Sequence, residues 1–427
     1  MADVIIYGKG KTGLSMAKLL QKQGISYDFY DDKDGFSNDG SFCNATVIVS
    51  PGVYPNARGM ELARGSNAAV VGELEYCWKL CQGKIISVTG TNGKTTPCQM
   101  IHHALKTTCN SVPLLGNGGT PFCSQVLDIS KEQYVVLESS SFMLRDANTF
   151  APHISVFTNF AEDHLDYHGS FAHYLRAKCN NFIHQKGNDW AIFNKDDKHL
   201  VEISKLAKGK CLYYSLCDEQ SNCYIKGKTI HISFENEHFC VDFSLLDKYS
   251  QHNLSNALAV LLCCAVVGVD LQKAAHSLQE YTLLPHRLQQ VGAVGNISFV
   301  DDSKATNVHA TQSAIRCFSC PVALILGGSD KNAYFDPIFA QLPSNVVQVA
   351  VFGQTKEILQ NCGKKYGVNV VVLDSLEQCV WHCYNRLLQT GGVVLMSNAC
   401  ASFDAFTGYE QRGQYFCKVV KQIENSV

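Results

Sequence analysis

Residues 86–97 read ISVTGTNGKTTP. The close of this stretch, Gly93-Lys94-Thr95-Thr96, matches the end of the phosphate-binding pattern G-x-x-x-x-G-K-[ST]. The first glycine of that pattern should stand at position 88, which is Val88; the nearest, Gly90, comes two residues late. Around β- and γ-phosphates the chemistry needs backbone N–H groups, a lysine to neutralise charge and a hydroxyl for a divalent cation. Two glycines, Lys94 and two threonines supply these where a β-branched run gives way to a helix, and Pro97 falls in the first helical turn, where a missing N–H costs little. The stretch predicts a short phosphate loop between a strand and a helix.

Working outward, short β-branched runs alternate with longer helical patterns, the signature of parallel α/β sheets. In the first block, DVIIYG and YDFYDD predict strands, with a helix over GKGKTGLSMAKLLQKQG between them and a third strand at ATVIVSPGV. The pattern restarts near CWKLCQGK with the strands IISVTG, YVVLESS and ISVFTNF, and runs through a helix at LSNALAVLLCCAVVG. LPHRLQQVG reads as a junction, followed by the strands ISFVDDS, VALILGG, VQVAVFG, VNVVVLD and GVVLMS. The expected organisation is therefore α/β with three domains, 1–83, 84–283 and 284–427.

The 427 residues accommodate about two to four domains. A hydrophobic content of 46% against 17% charged residues is globular, and a formal net charge of -2 gives no electrostatic reason to expect nucleic acid or an anionic membrane as partner. The start, MADVIIYGKG, lacks the basic and long apolar regions of a signal peptide, and ALAVLLCCAVVGV is too short to span a bilayer comfortably. A soluble, cytoplasmic protein is expected. The 20 cysteines lie scattered through apolar runs, and Cys317 and Cys320 form a C-x-x-C without a second pair at zinc spacing. They read as reduced structural thiols.

Four further segments carry chemistry. Gly8, Gly10 and Gly13 form G-x-G-x-x-G after a strand and before a helix, with Asp31 and Asp32 at the end of the next strand; the pattern favours a bound pyrophosphate, of NAD or a nucleotide sugar, over a bare structural turn. Glu138 ends a strand ahead of three serines. Glu162, Asp163, His164, Asp166 and His168 crowd FTNFAEDHLDYHGS, either as ligands for a hard cation or as an acidic loop capping a helix. FVDDSKATN, ILGGSDKN and MSNACASFDAFTGYEQRG each follow a strand and bring hydroxyls and cations suited to an anionic substrate, or each is a polar loop with a helix cap.

In this order, GTNGKTT, ESSSF, NFAEDHLDYH, SQHNLSNALA, LPHR and DDSKATN resemble the ATP-dependent Mur ligases of peptidoglycan synthesis. GKGKTGLS, SPGV, LGGSDKNAYF and SNACASFDAFTGYEQRG narrow the resemblance to the branch adding D-glutamate to UDP-N-acetylmuramoyl-L-alanine. The resemblance implies a Rossmann-like N-terminal domain for the UDP substrate, a central P-loop ATPase-type domain with a mainly parallel sheet, and a Rossmann-like C-terminal domain. It implies ATP and two Mg²⁺ ions as cofactors, an acyl-phosphate intermediate and a monomer with no nucleic-acid or membrane partner.

Residue by residue, the resemblance assigns Lys11, Thr12, Asp31, Asp32, Gly52 and Asn117 to the UDP substrate. ATP would meet Gly90, Thr91, Asn92, Gly93, Lys94, Thr95, Thr96, Asn253, Asn256, Arg287 and Asp302. Metal would be held by Thr95, Glu138, His164 and Lys178, the last as a carbamate, with Lys94, His164 and Lys178 catalytic. D-Glutamate would meet Thr306, Lys331, Ser402, Phe403 and Tyr409. Met143, Asn398 and Asp32 stand where the family usually has glutamine, proline and a hydroxyl residue.

Overall fold

The computed structural model describes residues 4–38, 40–109, 111–247, 249–282, 285–330 and 333–426. Lys331, expected to meet D-glutamate, lies outside the described residues, as does the expected boundary at 283/284. The chain forms two compact units, Met1–Tyr281 and Thr282–Val427.

The first unit holds two sheets. Residues Val4–Tyr7 are all buried, and pair in parallel with Tyr27–Asp31 on one side and Thr46–Val49 on the other. Ala69–Gly72 extends that sheet in parallel, and the short Gly35–Phe36 closes its other edge antiparallel. In the second sheet Lys84–Thr89 lies between Tyr134–Glu138 and Ile154–Phe157, parallel to both. Its register sets Val88 opposite Glu138 and Thr89 opposite Phe157, so the carboxyl ends of three strands come level. Ligands of open α/β sheets gather outside such strand ends.

Leu114–Gly116 forms one edge of this nine-stranded sheet. Toward the other edge come the parallel strands Trp190–Asn194, Lys210–Tyr214 and Cys223–Lys226, then the antiparallel hairpin of Thr229–Phe234 and Glu237–Asp242. The helix Gln251–Val267 is buried almost all round and stops at Gly268, whose φ of +84° suits a residue without Cβ. Among the described residues no helix is long and apolar enough to cross a membrane. One apolar cluster joins Leu19, Ile48 and Leu74 of the first sheet's layer to Phe122, Leu137 and Phe150 of the second, which is why both sheets share a unit.

The second unit is a six-stranded sheet in the order Gln289–Val294, Ile297–Asp301, Gly392–Met396, Val322–Gly327, Val346–Phe352, Val370–Val372. Its last five strands run parallel, and each coincides with an apolar run of the sequence. The first strand is antiparallel and occupies the segment read as a junction. Its residues are half or fully exposed and interrupted at Gly292, where the register shifts, so no apolar run marks it.

Candidate functional site

The phosphate-type loop joins the strand Lys84–Thr89 to the helix Thr95–Leu105. Its turn needs Gly93, at φ +69°, and it needs Gly90, where an added Cβ would come within 2.2 Å of Thr158 Oγ1. Pro97 is the third helical residue, where a lost N–H is tolerated. Asn159, just past the next strand, accepts from the Asn92 N–H at 2.9 Å through Oδ1 and donates to the Asn92 carbonyl at 2.9 Å. Its own carbonyl accepts from the Thr91 N–H at 3.0 Å. Sequence alone gives Asn159 no role, since its one signal is a position beside the loop, just past a neighbouring strand end. Thr91 Oγ1 donates to the Ala161 carbonyl and accepts from the buried Tyr174 hydroxyl. Lys94 curls back, with Nζ donating to the carbonyls of Gly90 and Thr91 at 3.0 Å each.

Lys178 projects from the helix Phe171–Cys179 into the same turn and is only 1% exposed. Its Nζ donates to the Gly90 carbonyl at 2.7 Å and to Thr89 Oγ1 at 3.3 Å, and lies over the Tyr174 ring. Burial, seconded by the Lys94 charge and only partly opposed by Asp163, holds its pKa well below that of an ordinary lysine. Glu138, 6% exposed, ends the adjacent strand and accepts from Asn117 Nδ2 at 2.8 Å. Lys11 reaches the loop that carries Asn117, just past the strand Leu114–Gly116, donating to the Gly119 carbonyl at 2.7 Å. Lys11, Asn117, Glu138, Lys178 and the phosphate-type loop are thus linked through adjacent strand ends.

Among its described side chains, the acidic segment after Phe157 does not close into one cage. Glu162 is exposed, while His168 turns inward, its Nε2 at 3.0 Å from Ser141 Oγ and its ring stacked on Phe142. His164 sits in the left-handed region at φ +52°, with Nε2 at 3.7 Å from Asp163 and its ring against Phe142. Tyr167, between them, donates toward the carbonyls of Pro51 and Val53 at 3.0 and 2.9 Å and accepts from Arg145, which also donates to Val53. Gly52 is therefore flanked by two anchored carbonyls. Neither Tyr167 nor Arg145 was assigned a role from sequence.

In the glycine loop of the first sheet, a Cβ on Gly13 would meet the Gly8 carbonyl at 1.9 Å, so the helix starts against the loop backbone. Thr12 follows Lys11 in that first turn, and Asp31 accepts from the Lys33 N–H. Asp32 turns inward instead: its carboxylate accepts from Tyr7 OH at 2.7 Å and the Gly59 N–H at 2.9 Å. Along the helix Gln251–Val267, Asn253 and Asn256 are buried, and Asn256 Nδ2 has no hydrogen-bond partner among the described residues. Such an orphan donor fits a contact completed by a ligand.

In the second unit Asp301 is fully buried and accepts from His286 Nδ1 at 2.6 Å and the Ser303 N–H at 2.9 Å. Asp302 accepts from Ser397 Oγ at 2.8 Å and the Leu288 N–H at 3.3 Å, and burial pushes its carboxyl up to about 7. Arg412, fully buried, braces the site by donating to Ser303 and to the carbonyls of Cys400 and Ala401. Lys304 Nζ lies 3.6 Å over the Tyr409 ring. Thr306 is half-buried, Ser402 is buried, and Phe403 is 71% exposed. Both side-chain polar atoms of buried Asn398 lack a partner among the described residues.

A phosphate-type loop at the mouth of a mainly parallel sheet, backed by a buried carboxylate and a buried amine, places this chain in the class of P-loop α/β proteins. Two family models match it: "Mur ligase middle domain" over residues 88–264 and "Mur ligase, glutamate ligase domain" over residues 286–400. UDP-N-acetylmuramoylalanine--D-glutamate ligases of Bacillus cereus and Caldicellulosiruptor bescii are each 31% identical, over 99% of this chain and 98% of theirs. That of Oenococcus oeni is 32% identical over 99% and 97%. The chain belongs to the Mur ligase family. Its fold is that of the Thermotoga maritima MurF ligase solved in complex with ADP, with TM-score 0.63 and 18% identity, covering 100% of this chain and 96% of that one. UDP-N-acetylmuramate-alanine ligase MurC of the same organism gives 0.57 and 16%, with 100% of both chains covered.

Proposed function

We propose that this enzyme joins D-glutamate to UDP-N-acetylmuramoyl-L-alanine at the expense of ATP, in the cytoplasm and as a monomer. The observation that carries this reading is full-length similarity to ligases named for that reaction. We assign the UDP substrate to residues 1–83, ATP chemistry to 84–283 and D-glutamate to 284–427.

In this reading the γ-phosphoryl group passes to the alanyl carboxylate, releasing ADP and leaving an acyl phosphate. The neutral amine of D-glutamate attacks that carbonyl carbon, and the tetrahedral adduct loses phosphate and a proton to give the amide. Backbone N–H groups of 93–96 and the Lys94 ammonium neutralise the phosphates, with Lys94 exchanging its two loop carbonyls for phosphate oxygens. Asn253 and Asn256 meet adenosine. Lys11, Thr12, Asp31, Gly52 and Asn117 hold the sugar nucleotide, while Thr306, Ser402, Phe403 and Tyr409 surround D-glutamate.

Two Mg²⁺ ions, held by Thr95, Glu138, His164 and Lys178, would supply further charge neutralisation at the phosphates. The donor set fits them once Lys178 is a carbamate. An ammonium repels cations, whereas a carbamate attracts them, and only the neutral amine that burial favours adds to CO₂, releasing a proton. The test is phosphate release from ATP with Mg²⁺ and UDP-N-acetylmuramoyl-L-alanine, with D-glutamate, L-glutamate or other amino acids in parallel. Release that requires D-glutamate is expected. Release with a different amino acid would keep the ligase chemistry and overturn the substrate assignment.

A further inference from the structure

Far along the central sheet from the phosphate loop, its last hairpin gathers a second set of metal-type ligands. The strands Thr229–Phe234 and Glu237–Asp242 pair with His231 opposite Cys240 and Ser233 opposite His238. Strand alternation sends these four side chains to one face, while Ile230, Ile232 and Val241 on the other face are buried. His231 Nδ1 lies 3.2 Å from His238 Nε2, and Cys240 Sγ lies 3.8 and 3.6 Å from those two nitrogens. Among the described residues these are the three histidine, cysteine or carboxylate ligands that converge closely enough to share an ion.

The separations match those that one tetrahedral ion would impose on its ligands. Zn²⁺ takes nitrogen at about 2.0–2.1 Å and thiolate at about 2.3 Å in tetrahedral geometry. Those bonds put two ligand nitrogens about 3.3 Å apart and each nitrogen about 3.6 Å from sulfur. All three observed separations lie close to these values. The surroundings also orient the ligands. Ser233 Oγ is 3.0 Å from His238 Nδ1, which leaves Nε2 to face the cluster. Tyr224, opposite His231 on the neighbouring strand, stacks on its ring at 5.0 Å with the planes 11° apart. Gln272 donates to the Cys240 carbonyl at 2.8 Å and so fixes the outer strand.

We propose that His231, His238 and Cys240 form a Zn²⁺ site with its fourth position open to water. Two imidazoles and a thiolate are borderline-soft donors that favour zinc over the oxygen-seeking Mg²⁺ of the nucleotide. Binding replaces the Cys240 thiol proton by the metal and releases one proton to solvent. Cross-linking both strands of the hairpin, zinc would staple the edge of the sheet and leave the phosphate-transfer residues untouched.

The test uses the reduced, metal-stripped full chain, titrated with Zn²⁺ against a chromogenic chelator and separately with Co²⁺. One equivalent of Zn²⁺ is expected, with a thiolate-to-Co²⁺ charge-transfer band. Cys240→Ser should abolish that band, and His231→Ala and His238→Ala should each weaken Zn²⁺ by at least about 100-fold. Ser233→Ala, which only orients His238, should weaken it about tenfold. Cys217→Ser, removing another exposed thiol, should change nothing. A charge-transfer band that persists in Cys240→Ser would overturn the proposal. So would wild-type protein with intact circular dichroism that takes up no Zn²⁺, since the short imidazole–imidazole approach would then be a hydrogen bond only.

Discussion

The Lys178 amine donates to the Gly90 carbonyl at 2.7 Å, tying the helix Phe171–Cys179 to the turn of the phosphate loop. Its contacts are modest beside the cost of burying an amine. Lys178→Met, similar in length and apolar, should therefore fold with stability within about 1 kcal/mol of wild type, or better. Its turnover should be nearly abolished and should recover partly with a small added carboxylate. Chemical denaturation and phosphate release measure the two. Full activity would reject the carbamate, and a loss above about 2 kcal/mol would give the amine a structural role instead.

Lys94 offers a simpler contrast. Its ammonium rests on two carbonyls of its own loop, so little stability depends on it. Lys94→Ala should lower kcat by at least about 100-fold and leave the melting temperature almost unchanged. Near-normal turnover would remove the loop from the catalytic assignment.

Asn117 and Glu138 link the sugar-nucleotide residues to the proposed metal residues by one hydrogen bond of 2.8 Å. Asn117→Asp would set two carboxylates against each other, and one of them would hold a proton. Both the Mg²⁺ concentration for half-maximal rate and the KM for the UDP substrate should rise, each by about tenfold. If only one rises, the two sites do not communicate through this bond.

The parts of this arrangement that were legible in sequence are those written locally. Parallel strands buried on both faces read as unbroken β-branched runs, as in VIIY and VALILG. A glycine-lysine-threonine loop announces itself because few other jobs need those residues together. Gln289–Val294 was illegible because an exposed edge strand with a bulge has no apolar period to show. Asn159 and Tyr167 were illegible for another reason: their partners, Asn92 and the carbonyls beside Gly52, are neighbours only after the sheets form. His231, His238 and Cys240 look unrelated until the hairpin register puts His231 opposite Cys240.

Asp302 gives the second unit a pH dependence whose sign follows from burial. Its folded-state pKa, about 7, lies above that of an exposed aspartate, so folding favours the protonated form. Its contribution is complete below the unfolded pKa, near 4, and is lost as pH rises toward 7. The difference in unfolding free energy between Asp302→Asn and wild type should grow in favour of the variant over that window, by up to about 4 kcal/mol at 1.36 kcal/mol per pKa unit. Asparagine keeps both contacts, accepting from the Leu288 N–H and donating to Ser397. A pH-independent difference would mean that Asp302 is already ionised at pH 5.

Tyr167 separates positioning from chemistry. Its hydroxyl, pushed up to about 12 mainly by burial, is a firm donor that shares its proton between the carbonyls of Pro51 and Val53. Gly52 between them carries no side chain, so the path of this loop is set by its anchored carbonyls and by Arg145. Tyr167→Phe keeps the ring against Phe142 and deletes only those bonds and the one accepted from Arg145. The loss should cost about 1–2 kcal/mol of stability, as for other buried hydrogen bonds. If the loop holds the sugar nucleotide, KM for that substrate should rise about tenfold or less while kcat stays near wild type, because no group at the phosphates has moved. A fall in kcat with unchanged KM would instead place Tyr167 among the groups that shape the His164 segment, and the loop at Gly52 would lose its assignment.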